Sequence, residues 1–306
     1  MDSRAQITDT ALKIDALGLW GKIPGLWALL PQGTVFPYFC VAEELKGHPL
    51  LKAHILFLEG WQNLRDYNCW RRDHNYGFIS NPVELTAFDV MIGRDGTVQT
   101  ARTSPGFAPD FEPGDKALAL VARLAWETYG VIMRCEGDTQ VLGKYASEGA
   151  LFARREISPR KWEDSPLALV PPRPMVEKIV VSKDECAAVK DLPFIREMAV
   201  ELRFGPNLGH ITQEPHPRIA YELECRNAKD GNLLFSRTAV VRPPSTGIAD
   251  LWQDLAPRVL KELAELKFVP GEIRVRTLRE FRILRILTLE LPFKLSLRDQ
   301  LEHIRY

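Results

Sequence analysis

The sequence predicts an α/β protein, an α+β mixed-sheet fold made of two similar units, each running strand, β-hairpin, helix, strand, helix. Three observations predict it. Text repeats in order: Asn75 to Ser80 returns as Asn207 to Thr212, Ala87-Phe88-Asp89-Val90 as Ala220-Tyr221-Glu222-Leu223, and Asp95-Gly96 with Arg102-Thr103 as Asp230-Gly231 with Arg237-Thr238. The copies lie 132 to 135 positions apart, as an internal duplication produces. Each copy centres on two β-type runs joined by a turn containing Asp-Gly, where glycine supplies the positive φ a tight turn needs. Between the copies lies Ser165–Pro174, with prolines at 166, 171, 172 and 174, which reads as a semi-rigid connector.

Taken in order, residues 1–50 read as an N-terminal helical arm and a strand. Ala11, Leu12, Ile14, Leu17 and Leu19 fall near helical spacing after a cap at Thr8 or Asp9. Gly21–Gly25 breaks the helix, and Trp27, Leu29 and Leu30 form an apolar cap. The first unit spans 51–164: a strand at His54–Leu58, a helix over Gln62–Arg72, strands at Val83–Ile92 and Thr97–Thr103, and a helix from Asp115 to Tyr129 stopped by Gly130. A strand at Val131–Cys135 and a helix over Thr139–Arg154 complete it. The connector takes 165–178 and the second unit 179–306. That unit opens with a helix at Lys183–Lys190. Strands follow at Met198–Phe204, Arg218–Arg226 and Asn232–Val241, then a helix over Ile248–Lys267 that Pro257 should kink or split. Pro270-Gly271 ends that helix. A strand at Glu272–Arg276, a helix at Leu278–Leu289, a strand at Phe293–Leu297 and a last helix opened by Ser296 or Asp299 finish the chain.

Composition narrows the function classes. Forty Lys and Arg balance forty Asp and Glu, which argues against a dedicated polyanion binder and leaves room for local basic patches. Five scattered cysteines form no CxxC site and read as reduced thiols of a cytoplasmic protein. Met1-Asp2-Ser3-Arg4 leads into no apolar leader, and no run approaches the roughly 20 apolar residues a membrane span needs.

The densest set of recognition-type side chains is Trp61 to Phe78, with Trp61, Arg65, Trp70, Arg71, Arg72 and Tyr76 as candidate binding residues and His74, beside Asp73, as a candidate base. Arginines among aromatics grip phosphates and stack on bases. The same spacing also fits a helix packing Trp61, Leu64, Tyr67 and Trp70 on a core. Arg102 and Arg237 leave equivalent strands, either to tie each hairpin to its own unit or to line a binding cleft. His210, Glu214 and His216 do not match an established metal spacing, and no metal site is expected there. Arg274, Arg276, Arg279, Arg282 and Arg285 form a basic run suited to a nucleic acid or an acidic protein, or to a solvated helix face. No phosphate loop, GxSxG or HExxH is present.

The predicted strand and helix order resembles the ribonuclease-H-like fold in topology. The text Arg203-Phe204-Gly205-Pro206-Asn207 and Leu291 to Leu297 resembles a C-terminal domain of bacterial proteins of unknown function. The first resemblance implies a test: metal-dependent phosphodiester cleavage needs carboxylates that converge from strand ends and one helix to hold Mg2+. Glu59, Glu127 and Glu136 take those positions in the first unit. In the second, Glu201 has its place but Ile273–Arg276 lacks an acid. Three readings stand: a cytoplasmic binding protein with no cofactor and no recognisable catalytic site, whose partner is open between a protein and a nucleic acid; a nucleic-acid-binding or Mg2+-dependent nuclease-like protein; and a hydrolase using His74 as its base.

Overall fold

Helix α1 (Ser3–Ala16) buries Ile7, Ala11 and Ile14, one stripe at helical spacing, and begins a turn earlier than predicted. Asp9 does not cap it; it lies in the helix and pairs with Lys13 one turn on, at 2.8 Å. The computed structural model describes residues 2–20, 26–73, 84–135, 142, 150–169, 179–213, 217–241 and 248–304, with backbone alone at 69, 70, 72, 73 and 208. They fall into two compact units, each with its own sheet. The first holds 1–72, 76–104 and 109–173; the second holds 73–75, 105–108 and 174–306.

In the first unit, β1 (Trp27–Leu30), β2 (Tyr38–Glu44), β3 (Leu51–Glu59), β4 (Ala87–Gly93) and β5 (Val98–Thr103) form an antiparallel meander. Trp27–Leu30 is thus a strand of the sheet and not a cap outside it. Helix α2 (Gly60–Asp73) leaves β3 and helix α3 (Asp115–Cys135) follows β5. β6 (Ala150–Ser158) then joins parallel to β1, and β7 (Lys161–Ala168) completes the order β5-β4-β3-β2-β1-β6-β7. Both faces are covered at the centre, so β1 to β4 read as nearly continuous apolar runs. One face packs Ile55, Phe57 and Val90 with residues of α1 and α3. The other packs Phe39, Leu56 and Leu58 against Leu64 and Tyr67 of α2.

The structure differs from the predicted elements in three places. Val131–Cys135 is the end of α3, because Leu124, Thr128, Val131, Ile132 and Cys135 are buried at steps of three and four. Gly130 does not stop the helix: a Cβ there would lie 3.2 Å from Nη1 of Arg154, so its bareness gives that guanidinium room. Residues 150–154, expected to be helical, lie in β6, and Pro166 sits in edge strand β7, where no ladder donor is lost.

The second unit opens with α4 (Lys183–Lys190), where Ser182 and Glu185 form a capping box. β8 (Phe194–Ile211), β9 (Ile219–Asn227) and β10 (Leu233–Ala239) are antiparallel neighbours. α5 (Ala249–Gln253) and α6 (Leu255–Leu266) are the predicted helix, split just before Pro257, which sits in α6's first turn, where its missing N–H costs nothing. β11 (Val269–Val275) runs parallel to β8, with Pro270 and Gly271 inside it and not ahead of it. α7 (Leu278–Leu284), a 3-10 turn (Arg285–Leu289) and β12 (Lys294–Leu297), parallel to β11, complete the order β10-β9-β8-β11-β12. Helices α4 to α7 bury one face of this sheet. No helix follows Ser296 or Asp299 among the described residues.

The second unit has the predicted arrangement of three antiparallel strands, a helical crossover and a parallel strand beside the first. The first unit keeps the hairpin and the helix after it, but its returning strand joins beside β1, two strands from β3. Among the described residues no helix is long and apolar enough to cross a membrane.

Candidate functional site

The acids proposed for a metal lie on separate elements and make separate contacts. Glu59 ends β3; its backbone carbonyl accepts from Asn63 at 2.6 Å, and Asn63 in turn accepts from the amide of Thr86, pinning the start of α2. Its charge is near Tyr38, whose hydroxyl is pushed up to about 12, first by burial and then by Glu59. Glu127, on α3, meets Arg154 of β6 at 2.8 Å. Burial raises its pKa and Arg154 opposes that. The pair belongs to a lattice between α3 and the β6–β7 ribbon, in which Arg134 pairs with Asp164 and Arg123 with Glu156. Glu136, His74 and Tyr76 lie outside the described residues. Among the described residues no three His, Cys, Asp or Glu side chains stand together as metal ligands.

The predicted binding residues take structural contacts where they are described. Trp61 stacks on Phe39 at 4.5 Å, and Leu64 and Tyr67 are buried, so α2 turns its apolar stripe to the sheet. Arg65 lies on the same helix, and the side chains of Trp70 and Arg72 lie outside the described residues. Arg71 pairs with Glu43 at 2.6 Å. Arg102 sits over the Phe88 ring, and its backbone bridges Asp110. Arg237 reaches Glu262 and Glu265 of α6, both at 2.9 Å, tying the second hairpin to its own unit.

A cluster that the sequence reading did not single out lies under α2. Alternation along β2, β3 and β4 turns Glu43, His54 and Asp89 to the same face as Leu56 and Leu58. Glu43 is the register partner of His54, and Asp89 lies opposite Leu56. His54 and Asp89 are fully buried, with Nδ1 at 3.3 Å from Oδ1. The contact becomes an ion pair when His54 is protonated, and neither ring nitrogen meets hydrogen-bond geometry with a partner among the described residues. Arg71 closes the cluster from α2, lying 5.7 Å from the Tyr67 ring centre. Burial favours neutral His54, but Asp89 and then Glu43 outweigh it and raise its pKa above the ordinary value. One signal was present: a histidine and an aspartate inside two otherwise apolar strands, where a lone polar group is costly.

In the second unit the sheet face opposite the helices is polar. Glu201 of β8 is buried, and its two oxygens accept from the amides of Glu302 and His303 at 2.7 and 2.8 Å, holding the chain after β12 across the sheet. Glu272 of β11 accepts from Ser296, Arg274 and Arg298, and lies at about 2 despite partial burial. Glu280 is fully buried: it completes a capping box with Thr277 and accepts from Phe204 of β8. Burial overrides those donors and lifts it to about 7. Arg279 lies over the Trp252 ring at 4.2 Å, while Arg282 and Arg285 are exposed. No family model, no curated protein and no solved structure matches this chain.

Proposed function

We propose that this chain is a non-enzymatic binding protein that works in the cytoplasm. The observation that carries the reading is that two of the described acids at metal-site positions, Glu127 and Glu201, already have structural partners. Glu127 has Arg154, and Glu201 has two backbone amides. A metal there would have to displace a charge-assisted contact, each worth about 1.5–3 kcal/mol. Buried free thiols at Cys40, Cys135, Cys186 and Cys225 suit a reducing compartment. Melting curves and cleavage of labelled RNA and DNA duplexes, with and without millimolar Mg2+ or Mn2+, test the reading. The expected result is no metal-dependent melting shift and no cleavage. Cleavage that disappears in Glu127→Gln would overturn it.

A second reading, nucleic-acid binding through a ribonuclease-H-like second unit, is favoured by one feature. From Ile273 to Arg298 the chain carries seven Lys or Arg against Glu280 and Glu290, and both acids are committed, Glu280 to its cap and Glu290 to Lys190. Anisotropy of a labelled oligonucleotide should show binding that weakens steeply with salt and weakens further in Arg282→Glu/Arg285→Glu. Equal affinity in that variant would count against this reading.

A further inference from the structure

The pairing of β8 with β11 slips in the middle and leaves a concave site. Ile195 pairs with Pro270 and Ala199 with Glu272, so three residues of β8 lie opposite Gly271 alone. The bulged backbone of Arg196 presses so closely on Gly271 that any Cβ there would collide with it. The bulged residues Arg196 and Glu197 line a depression together with Ala199, Gly271 and Glu272. The resulting depression is about 790 Å3, with Phe194, Met198 and Pro292 supplying its apolar part. Bulges of this kind re-aim side chains beside functional sites.

The charges around the depression favour an anionic ligand. Glu272 faces the depression, but its oxygens are taken by Ser296, Arg274 and Arg298. Arg196 is exposed and has no ion pair or hydrogen bond among the described residues. Lys294 comes only within 4.0 Å of Glu272 and keeps 73% of its side chain exposed. Two cations with donors to spare therefore face an apolar wall, with Glu197 as the opposing charge.

We propose that this depression binds a small organic anion, with an apolar ring or chain against Phe194, Met198 and Pro292 and a phosphate or carboxylate held by Arg196 and Lys294. The site goes beyond the binding reading above, because the same anion would seat here in an enzyme as well. The test titrates phenyl phosphate and benzoate into the full chain labelled with 15N-alanine and 15N-glycine. Saturable shifts at the amides of Ala199 and Gly271 are expected with at least one of the two. Arg196→Glu/Lys294→Glu should weaken that binding about tenfold or more, which charge reversal at close range supports. Lys161→Glu on β7 should leave it unchanged. Both reversed residues are exposed, so an unchanged spectrum elsewhere will show that the variant is folded. Absence of saturable shifts with both probes overturns the proposal, and so does undiminished affinity in the double variant.

Discussion

The buried ionisable side chains set the pH response. His54 has a raised folded pKa, so its contribution to stability is fully present below about 6.5, the unfolded value. It is lost as pH rises through the higher folded value. His54→Leu removes the countercharge of a buried carboxylate and should cost on the order of 3 kcal/mol in urea unfolding near neutral pH. Adding Asp89→Leu should recover much of that loss, and a double variant worse than the single would sink the ion-pair account. Glu280 has the same sign from the opposite chemistry. Its pKa is raised from 4.5 to about 7 by burial, so the unfolded chain releases its proton first and stability falls across that window as pH rises. Glu280→Ala removes the capping box and the tie to Phe204 and should cost about 2 kcal/mol. A slope between pH 4.5 and 7 unaltered by that substitution would show that Glu280 is not the titrating group.

At the scale of elements, ion pairs between α3 and β6 decide how firmly the ribbon is held. Arg154→Ala strands half-buried Glu127 among Glu156 and Asp164 and should destabilise the first unit by about 1–3 kcal/mol at pH 7. The loss should shrink at pH 5, where Glu127 can take up a proton. A loss equal at both pH values would rule out an electrostatic cause. Local chemistry was legible wherever the signal sat within a few residues: the helix at Lys183–Lys190, the two Asp-Gly turns and the split near Pro257. Long-range placement was not. Val131-Ile132-Met133 has strand composition, but its buried positions continue the stripe begun at Leu118, and the stripe decides when a helix has a sheet to pack on. The same limit hid the cluster under α2. Its polar residues are far apart in sequence, and only the β2–β3–β4 register and the return of α2 bring Glu43, His54, Asp89 and Arg71 together. The depression at Gly271 was hidden likewise, since the slip that makes it is a property of two strands and not of Pro270-Gly271 alone.

At the scale of the whole molecule, chain order and unit membership part company. Residues 105–108 lie in the proline-rich loop after β5 but belong to the second unit. Phe107 bridges Arg218, the amide of Ile219 donates to Gly106 at 3.1 Å, and that of Ala108 donates to Pro217 at 2.9 Å. Gly106 has φ +80°, and a Cβ there would lie 2.7 Å from Val241 and 3.1 Å from Ile248. Both side chains are buried in the second unit's core. Gly106→Ala therefore combines an unfavourable backbone conformation with a steric clash and should destabilise the second unit by about 1–3 kcal/mol. Hydrogen exchange locates the effect. Protection should fall at the amides of Ile219 and its neighbours in β9, and stay unchanged in β3 and β4, although those strands are closer to Gly106 in sequence. A fragment of residues 179–306 lacks this segment altogether and should show the same weakening of β9, more strongly. Loss of protection in β3 and β4 with β9 intact would mean that the loop after β5 serves the unit it follows, and the division of the chain drawn from its packing would have to be redrawn.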